Sequence, residues 1–244
     1  MPESPPHILV TGATRGIGAA VVQALSARGA QVLGHGTTAA PGILAADLGE
    51  AGAGDRLWAA ALEVLDGRID VLINNAGVFE AIPVDAPDEA WQASWSRTLQ
   101  INLQASADLC RRMVLHAKDR EPDAGGLRGR IVNVASRAAY RGDSPAHWHY
   151  AAPKAGMVAM TKSIARGYAG QGIAAFAICP GYVMTGMAED YLASRGGDRL
   201  LADIPLGRVA QPDEVASIAT YLALDAPASM TGAVLDVNGA SFVR

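Results

Sequence analysis

Short apolar runs alternate along the chain with longer stretches in which apolar and polar residues recur at helical spacing. The short runs, such as ILV, VLI and IVNV, are apolar at almost every position, which is typical of strands buried on both faces of a sheet. The pattern predicts strands at 7–10, 31–34, 43–46, 71–74, 131–135, 174–179 and 233–237. It predicts helices at 16–28, 55–65, about 89–116, 150–168 and 212–224.

Strands that are separated by helices in this order predict an α/β fold with a mostly parallel sheet. We therefore expect a single doubly wound Rossmann-type domain over 1–244, with seven strands and helices on both faces of the sheet. No internal repeat or low-complexity linker divides the chain. The segments 121–129 and 185–205 have the composition of loops.

Composition and charge exclude several partners. Hydrophobic residues make up 50% of the chain and charged residues 18%, and the net charge of −4 comes without a basic cluster that would bind nucleic acid. Two cysteines without metal-type spacing favour a reducing compartment. There is no signal-peptide pattern and no apolar run of about 18 residues, so we expect a cytoplasmic protein without a membrane partner.

A glycine-rich stretch, 11-TGATRGIG-18, joins the first predicted strand to the first helix. This context suits a dinucleotide, because small residues let the backbone approach the pyrophosphate and a helix N-terminus favours negative charge. The spacing is G-x-x-x-G-x-G rather than G-x-G-x-x-G. A plain turn is the alternative, and the position between strand and helix favours the nucleotide.

Residues beyond this loop indicate which dinucleotide is bound. NAD-dependent enzymes usually carry an acidic residue about 20 residues after the loop, to hold the ribose hydroxyls. No Asp or Glu occurs from Ser4 to Ala46, whereas Arg15, Thr37 and Thr38 could hold a 2′-phosphate. NADP(H) is therefore favoured and NAD(H) remains possible; the alternative for Arg15 is a solvated charge.

Tyr150 and Lys154 are one helical turn apart at the start of an apolar helix. A surface pair, with the lysine stem over the ring, is one interpretation. The other is an acid/base pair, since a cation at this spacing stabilises a phenolate. Pro153 predicts that the helix begins close to Tyr150, because proline is tolerated in a first turn. Ser136 closes the fifth strand at the carboxyl edge of the sheet.

Six motifs occur together in a fixed order: TGATRGIG, 74-NNAG-77, Asn102 in QINL, Ser136 in NVAS, 150-YAAPK-154 and 180-PGYVMT-185. With these six motifs in this order, the chain resembles the short-chain dehydrogenase/reductase family of the classical type. The similarity runs from His7 through 236-DVNG-239. Within the family it resembles bacterial 3-oxoacyl-carrier-protein reductases and related sugar or polyol dehydrogenases.

The resemblance implies roles for four catalytic residues. Tyr150 would be the general acid/base of hydride transfer, and Lys154 would lower its pKa and hold the nicotinamide ribose. Ser136 would hydrogen-bond the substrate oxygen. Asn102 would support a water that leads protons to Lys154; a structural role in a helix kink is the alternative.

The glycine loop and the resemblance together imply a cofactor site on the carboxyl edge of the sheet. Its expected members are Gly12, Thr14, Arg15, Gly16, Ile17, Gly18, Thr37, Asp47, Leu48, Asn75, Ala76, Gly77, Tyr150, Lys154, Pro180, Gly181, Val183 and Thr185. The resemblance places Asp47 and Leu48 at the adenine end of this site. The resemblance also implies a substrate lid at about 185–206. It implies a homo-oligomer, a tetramer or a dimer, built on the helices at 89–116 and 150–168.

The sequence thus predicts an oxidoreductase that transfers a hydride between NADP(H) and a small carbonyl or secondary alcohol. An NAD-dependent sugar or polyol dehydrogenase is the alternative within the family, and a catalytically inactive nucleotide-sensing or scaffold protein is the alternative outside it. Gln171 stands where carrier-protein reductases often have arginine, which argues against an acyl-carrier substrate. His147 and His149 lack a third ligand cluster, so we expect no metal; one of them, with Trp148 or Arg137, is expected to line the substrate mouth.

Overall fold

The computed structural model describes residues 5–185 and 197–244, and in this part of the chain seven strands form one sheet. The strands are β1 (His7–Val10), β2 (Gln31–Gly36), β3 (Ile43–Ala45), β4 (Val71–Asn74), β5 (Gly129–Val134), β6 (Ile173–Pro180) and β7 (Val234–Val237). The α-helices are α1 (Gly16–Ala27), α2 (Ala53–Val64), α3 (Asp88–Leu99), α4 (Ala105–Ala117), α5 (Ala138–Arg141), α6 (Trp148–Tyr168), α7 (Gly197–Ala202) and α8 (Pro212–Leu224). A π-helix, Gln100–Gln104, joins α3 to α4.

The sheet has the strand order β3-β2-β1-β4-β5-β6-β7, and every pairing between these strands is parallel. The order runs outward in both directions from β1 and β4. At such a switch point the loops that follow the two neighbouring strands leave in opposite directions and open a crevice at the carboxyl edge. The α/β doubly wound fold expected from the sequence is confirmed.

Alternate side chains of each strand enter two cores, one on each face of the sheet. In β1, for example, Ile8 and Val10 belong to one core and Leu9 to the other, and all three are fully buried. The first core includes Leu25 of α1 and Leu222 of α8. The second core includes residues of α2, α4 and the end of α6.

A buried chain of hydrogen bonds fixes α6 to the middle of the sheet. Asn74 Nδ2 donates to Asn133 Oδ1 at 2.8 Å, and Asn133 Nδ2 donates to Thr161 Oγ1 at 2.8 Å. All three residues are fully buried. Because buried polar groups are normally hydrogen-bonded, these hydrogen bonds fix the position of α6 against β4 and β5.

The long helix predicted at about 89–116 is interrupted in the structure. The π-helix Gln100–Gln104 separates α3 from α4 and contains Asn102. Its side chain bonds both backbone groups of Val78 in the loop after β4. A π-helical segment inserts one extra residue into a helix and is common at functional sites. The spacing of apolar residues in the sequence does not predict it.

The expected start of the helix at Tyr150 is wrong by about half a turn. The helix α6 begins at Trp148, and Pro153 lies in its second turn rather than its first. Proline there lacks the N–H that would donate to the His149 carbonyl, a loss that the buried packing of α6 outweighs. The short helix α5 and the extension of β2 through Gly36 were not predicted.

Of the expected lid at about 185–206, residues 186–196 lie outside the described part of the chain. The residues that follow form α7. A direct loop joins β2 to β3, and no helix lies between these strands. Within the described ranges, none of the helices has the length and apolar character needed to cross a bilayer.

Candidate active site

The glycine loop between β1 and α1 lies against the loop that follows β4. Gly12 has a φ of 65°, and a Cβ added there would lie 2.8 Å from Ala76 Cα. A Cβ on Gly18 would lie only 2.0 Å from the Gly12 carbonyl oxygen. Side chains are therefore sterically excluded from both positions, which leaves room for a phosphate to approach the N-terminus of α1.

Thr11 and Asn75 brace this loop across the switch point. Thr11 Oγ1 accepts hydrogen bonds from the backbone N–H of Asn75 and of Ala76, each at 3.0 Å. Asn75 Nδ2 donates to the carbonyls of Thr11 at 3.0 Å and Gly12 at 2.9 Å. The Asn75 side chain thus fixes the glycine loop to the loop that follows β4. The bracing by Thr11 was missed, since a threonine after a strand carries no distinctive sequence signal.

The end of β2 presents no acidic side chain to the crevice. A Cβ on Gly36 would lie 2.4 Å from Thr14 Cγ2, so the strand packs closely under the glycine loop. Thr37 and Arg15 are exposed beside this contact. Within the described residues, the Arg15 side chain makes no hydrogen bond or ion pair, and its guanidinium is available to an anion.

The two residues expected at the adenine end of the site point in different directions. Asp47 is exposed, and its Oδ1 accepts the Gly49 N–H at 2.8 Å in a local turn. The Leu48 side chain is 5% exposed and packs in the core on the α2 side of the sheet.

The segment after β6 closes the other side of the crevice. Pro180 ends β6, and the Gly181 N–H donates to the Val237 carbonyl at 2.9 Å. Val183 is 8% exposed and packs into the core that contains α1. Thr185 reaches the glycine loop, because its Cγ2 is 2.9 Å from the Cβ position of Gly16. Ile17, next in the loop, packs partly buried against the same core.

Ser136, Tyr150 and Lys154 meet at the carboxyl edge of β5. Tyr150 and Lys154 share one face of α6, and Lys154 Nζ lies 5.9 Å from the centre of the Tyr150 ring. Lys154 Nζ donates to the Val134 carbonyl at 2.9 Å. The Ser136 hydroxyl hydrogen-bonds Tyr150 and also accepts the Ala138 N–H at 3.1 Å.

Burial dominates the ionisation of this pair. It raises the pKa of Tyr150 to about 12, with the Ser136 hydrogen bond acting in the opposite direction. It lowers the pKa of Lys154 to about 8. Lowering of the Tyr150 pKa by Lys154, as expected from the sequence, does not appear in the structure, because loss of solvent around the phenol has the larger effect.

Asn102 holds the loop that follows β4. Its Oδ1 accepts the Val78 N–H at 2.8 Å and its Nδ2 donates to the Val78 carbonyl at 2.9 Å. The Cβ position of Gly77 lies 3.2 Å from Asn102 Oδ1 and 3.5 Å from Lys154 Nζ. Asn102 and Lys154 thus contact the same stretch of backbone, and the proton-relay role of Asn102 stays a prediction.

Aromatic side chains surround the phenol. Phe79 contacts the Tyr150 ring edge-on with centroids 4.7 Å apart, and His147 stacks on Phe79 at 4.0 Å. His149 is fully buried against Trp95, so of the two histidines only His147 reaches the group around Tyr150. In the described ranges, no three His, Cys, Asp or Glu side chains come together as a metal site.

Arg137 follows Ser136 and is 8% exposed. Its guanidinium lies 4.5 Å from the centre of the Tyr182 ring, and its Nη1 is 3.3 Å from Asp203 Oδ2. Arg141 donates to the same carboxylate oxygen at 2.6 Å, and this bond is the main reason why the pKa of Asp203 is lowered. These contacts connect the serine loop to the residues after α7.

Known proteins resemble this chain along almost its whole length. The family model described as Enoyl-(Acyl carrier protein) reductase matches residues 12–240. D-threitol dehydrogenase of Mycolicibacterium smegmatis is 36% identical over 97% of this chain and 92% of its own length. A 3-oxoacyl-[acyl-carrier-protein] reductase of Synechocystis sp. is 37% identical over 95% of this chain and 94% of its own.

Solved structures agree with these relatives. A putative NAD(P) dependent gluconate 5-dehydrogenase from Beutenbergia cavernae, with bound NADP at low occupancy, superimposes with a TM-score of 0.82. It is 30% identical, and the match covers 97% of this chain and 96% of that chain. A putative short-chain alcohol dehydrogenase from Sinorhizobium meliloti gives a TM-score of 0.86 at 29% identity, over 98% of this chain and 96% of that one.

Gly18→Ala should weaken dinucleotide binding by about tenfold or more, because the new methyl overlaps the Gly12 carbonyl and displaces the loop. Quenching of tryptophan fluorescence during an NADPH titration measures the effect. Gly167→Ala is the matched control, since no neighbouring atom lies within 4 Å of a Cβ there. Wild-type affinity in Gly18→Ala would contradict the close contact between Gly18 and Gly12.

Lys154→Met should raise the free energy of unfolding at pH 7 by about 3 kcal/mol, because it removes a charge whose burial disfavours the folded state. The folded pKa of Lys154 is about 8 and its ordinary value is 10.5. Between pH 8 and pH 10.5 the unfolded wild type binds more protons than the folded wild type, so the free energy of unfolding of the wild type rises with pH. The stability advantage of Lys154→Met therefore shrinks over this range. Chemical denaturation from pH 7 to 10.5 measures both.

The exposed Lys118, changed to methionine, is the control for removing one positive charge. Lys118→Met should show the same pH dependence of the free energy of unfolding as the wild type. A Lys154→Met advantage that is absent at pH 7, or constant up to pH 10.5, would show that the amine is solvated.

Proposed function

The chain belongs to the short-chain dehydrogenase/reductase family, whose members act on alcohol and ketone groups, and from that membership we propose that it transfers a hydride between NADP(H) and a small carbonyl compound or secondary alcohol. One observation carries the proposal. A serine hydroxyl, a phenol and a buried amine, from Ser136, Tyr150 and Lys154, converge at the carboxyl edge beside the glycine loop. An inactive relative on this fold would not need that convergence.

In this proposal the nicotinamide ring, when bound, supplies or accepts the hydride. The Ser136 hydroxyl holds the substrate oxygen near the phenol. The Tyr150 O–H donates its proton to that oxygen as the carbonyl is reduced, and takes the proton back in the reverse direction. Lys154, anchored by the Val134 carbonyl, keeps a positive charge beside the ring during the transfer.

The ionisation of the site supports reduction as the favoured direction. With its pKa raised to about 12, Tyr150 carries its proton at neutral pH and is ready to act as the acid. Lys154, with a pKa of about 8, is mostly charged at pH 7. Oxidation of an alcohol would first require loss of the phenol proton, which becomes easier as pH rises.

Preference for NADP(H) is supported by the charge at the end of β2. Gly36 leaves no room for a carboxylate, and Arg15 and Thr37 are exposed on the same side. A carboxylate would repel a 2′-phosphate, whereas a guanidinium binds it through charge-assisted hydrogen bonds. The structural neighbour with bound NADP supports the same choice.

We propose a small polyol, sugar acid or ketone as the substrate. D-threitol dehydrogenase and the gluconate 5-dehydrogenase neighbour act, by their names, on such compounds. The polar mouth formed by Arg137, Tyr182 and Asp203 suits a hydroxylated substrate better than a purely apolar one. An NAD-dependent polyol dehydrogenase is the second candidate, favoured by the identity to D-threitol dehydrogenase.

Assembly and location complete the proposal. Trp148 of α6 and Leu99 at the end of α3 are 50% and 37% exposed. Apolar side chains on these helices support a homo-oligomer, a tetramer or a dimer, with α3, α4 and α6 at its interface. Cys110 and Cys179 are free and buried, which is compatible with the reducing conditions of the cytoplasm.

Tyr150→Phe should lower turnover by about 10²–10⁴-fold while NADPH binding stays close to that of the wild type, because only the proton donor is lost. A panel of ketones, sugars, polyols and a 3-oxoacyl thioester, each with both cofactors, is followed at the nicotinamide absorbance. Tyr168→Phe, at the far end of α6, is the control. Turnover that survives in Tyr150→Phe would remove Tyr150 from the reaction.

Arg15→Ala should raise the Kd for NADPH by about 10–100-fold and leave the Kd for NADH unchanged, because only NADPH carries the 2′-phosphate. Fluorescence titration with each cofactor gives both constants. Arg166→Ala removes the same charge from an exposed position on α6 and should change neither. Equal losses for the two cofactors in Arg15→Ala would argue for the NAD-dependent alternative.

A further inference from the structure

A buried histidine near the end of β2 has no part in the proposed reaction. His35 is 3% exposed and lies between Gly34 and Gly36. A Cβ on Gly34 would lie 2.8 Å from Ala13 Cβ, and one on Gly36 would lie 2.4 Å from Thr14 Cγ2. The glycine loop therefore packs directly onto this part of β2.

Both nitrogens of the His35 ring have partners, and the partners belong to different loops. Nε2 lies 3.0 Å from the Ala46 carbonyl, which only accepts, so Nε2 carries the proton. Nδ1 then accepts the backbone N–H of Gly12 at 3.3 Å. The His35 carbonyl also accepts the Ala13 N–H at 2.8 Å. The neutral ring thus connects the loop after β1 to the residue after β3.

From this geometry we propose that His35 is a positioning residue for the dinucleotide. The inference rests on the proposed cofactor. Gly12 belongs to the loop expected under the pyrophosphate, and Asp47, at the expected adenine end, directly follows Ala46. No helix joins β2 to β3 in this chain. The His35 ring takes over part of the support for the adenosine side by fixing the separation of the two loops.

Protonation of His35 would break this connection. A proton on Nδ1 faces the Gly12 N–H, so an acceptor becomes a second donor and the two groups repel. Burial lowers the pKa of His35, and the Ala46 hydrogen bond acts in the opposite direction. The charged groups on the connected segments are Arg15, Asp47 and Glu50, and all three are exposed. Acid should therefore weaken cofactor binding through His35.

Two variants of His35 and two readouts test the inference. His35→Leu leaves the Gly12 N–H and the Ala46 carbonyl without partners, whereas His35→Gln supplies an amide that donates and accepts without titrating. At pH 7.5 the Kd for NADPH, from tryptophan quenching, should rise about tenfold in His35→Leu and stay within about threefold in His35→Gln. The effect should appear with NADH as well, because the 2′-phosphate is not involved.

The pH profile separates positioning from a general loss of packing. Because burial lowers the pKa of His35 below its ordinary value of 6.5, the wild-type Kd for NADH should be constant at neutral pH and rise only in more acidic solution, as the ring becomes charged. The Kd of His35→Gln should rise less. NADH avoids the titration of the 2′-phosphate in this range. His116→Gln is the control: it replaces another histidine whose pKa burial lowers, and should keep the wild-type profile. His116 lies away from the glycine loop, where its Nε2 accepts the Ile69 N–H just before β4.

Wild-type affinity in a folded His35→Leu, or identical pH profiles for the wild type and His35→Gln, would overturn the positioning role. If His35→Leu does not fold, the profile of His35→Gln decides alone. A wild-type protein that binds neither dinucleotide would refute the proposed function and this inference together. Binding by the wild type with no effect at His35 refutes only the inference.

Discussion

The burial of one positive charge is the constraint on which the catalytic side of this structure depends. Lys154 is 4% exposed, and in the described structure its Nζ has one hydrogen-bond acceptor, the Val134 carbonyl at 2.9 Å. Taking an ammonium out of water is unfavourable, which is why its pKa is lowered to about 8. The helix α6 holds the amine there because buried polar bonds from Asn133 and Thr161 attach it to β5.

The cofactor side depends on close backbone contacts instead of charge. Gly12 and Gly18 exclude side chains from the turn, and Thr11 and Asn75 hold the turn against the loop after β4. That loop continues to Val78, which Asn102 fixes from the π-helix. The glycine turn and the buried amine are therefore connected through one backbone segment, at the point where the strand order changes direction.

Much of this arrangement could be predicted from the sequence. The strands follow from continuous apolar runs, and the positions of Ser136, Tyr150 and Lys154 follow from motif order. The interruption of the long helix at Asn102 could not be predicted, because a π-turn depends on a bond to a distant loop. The His35 bridge is also a tertiary contact, and its only local sign is the pair of flanking glycines.

The ionisation of the tyrosine shows a further limit of sequence reasoning. Spacing along a helix indicates which groups face one another, and on that basis Lys154 was expected to lower the pKa of Tyr150. In the structure the pKa of Tyr150 is instead raised to about 12, because burial favours the neutral phenol over the phenolate. Burial favours the neutral amine of Lys154 for the same reason. Residue order carries no information on how much water remains around a side chain.

The most direct test of the account is the pKa of Lys154 itself. The chain has three lysines, so ¹³C labelling of the lysine ε-carbons gives three resonances, and the one absent from Lys154→Met identifies the buried amine. This resonance should titrate near pH 8 in the protein without cofactor. A midpoint near 10.5 would place the amine in water and contradict the buried pair.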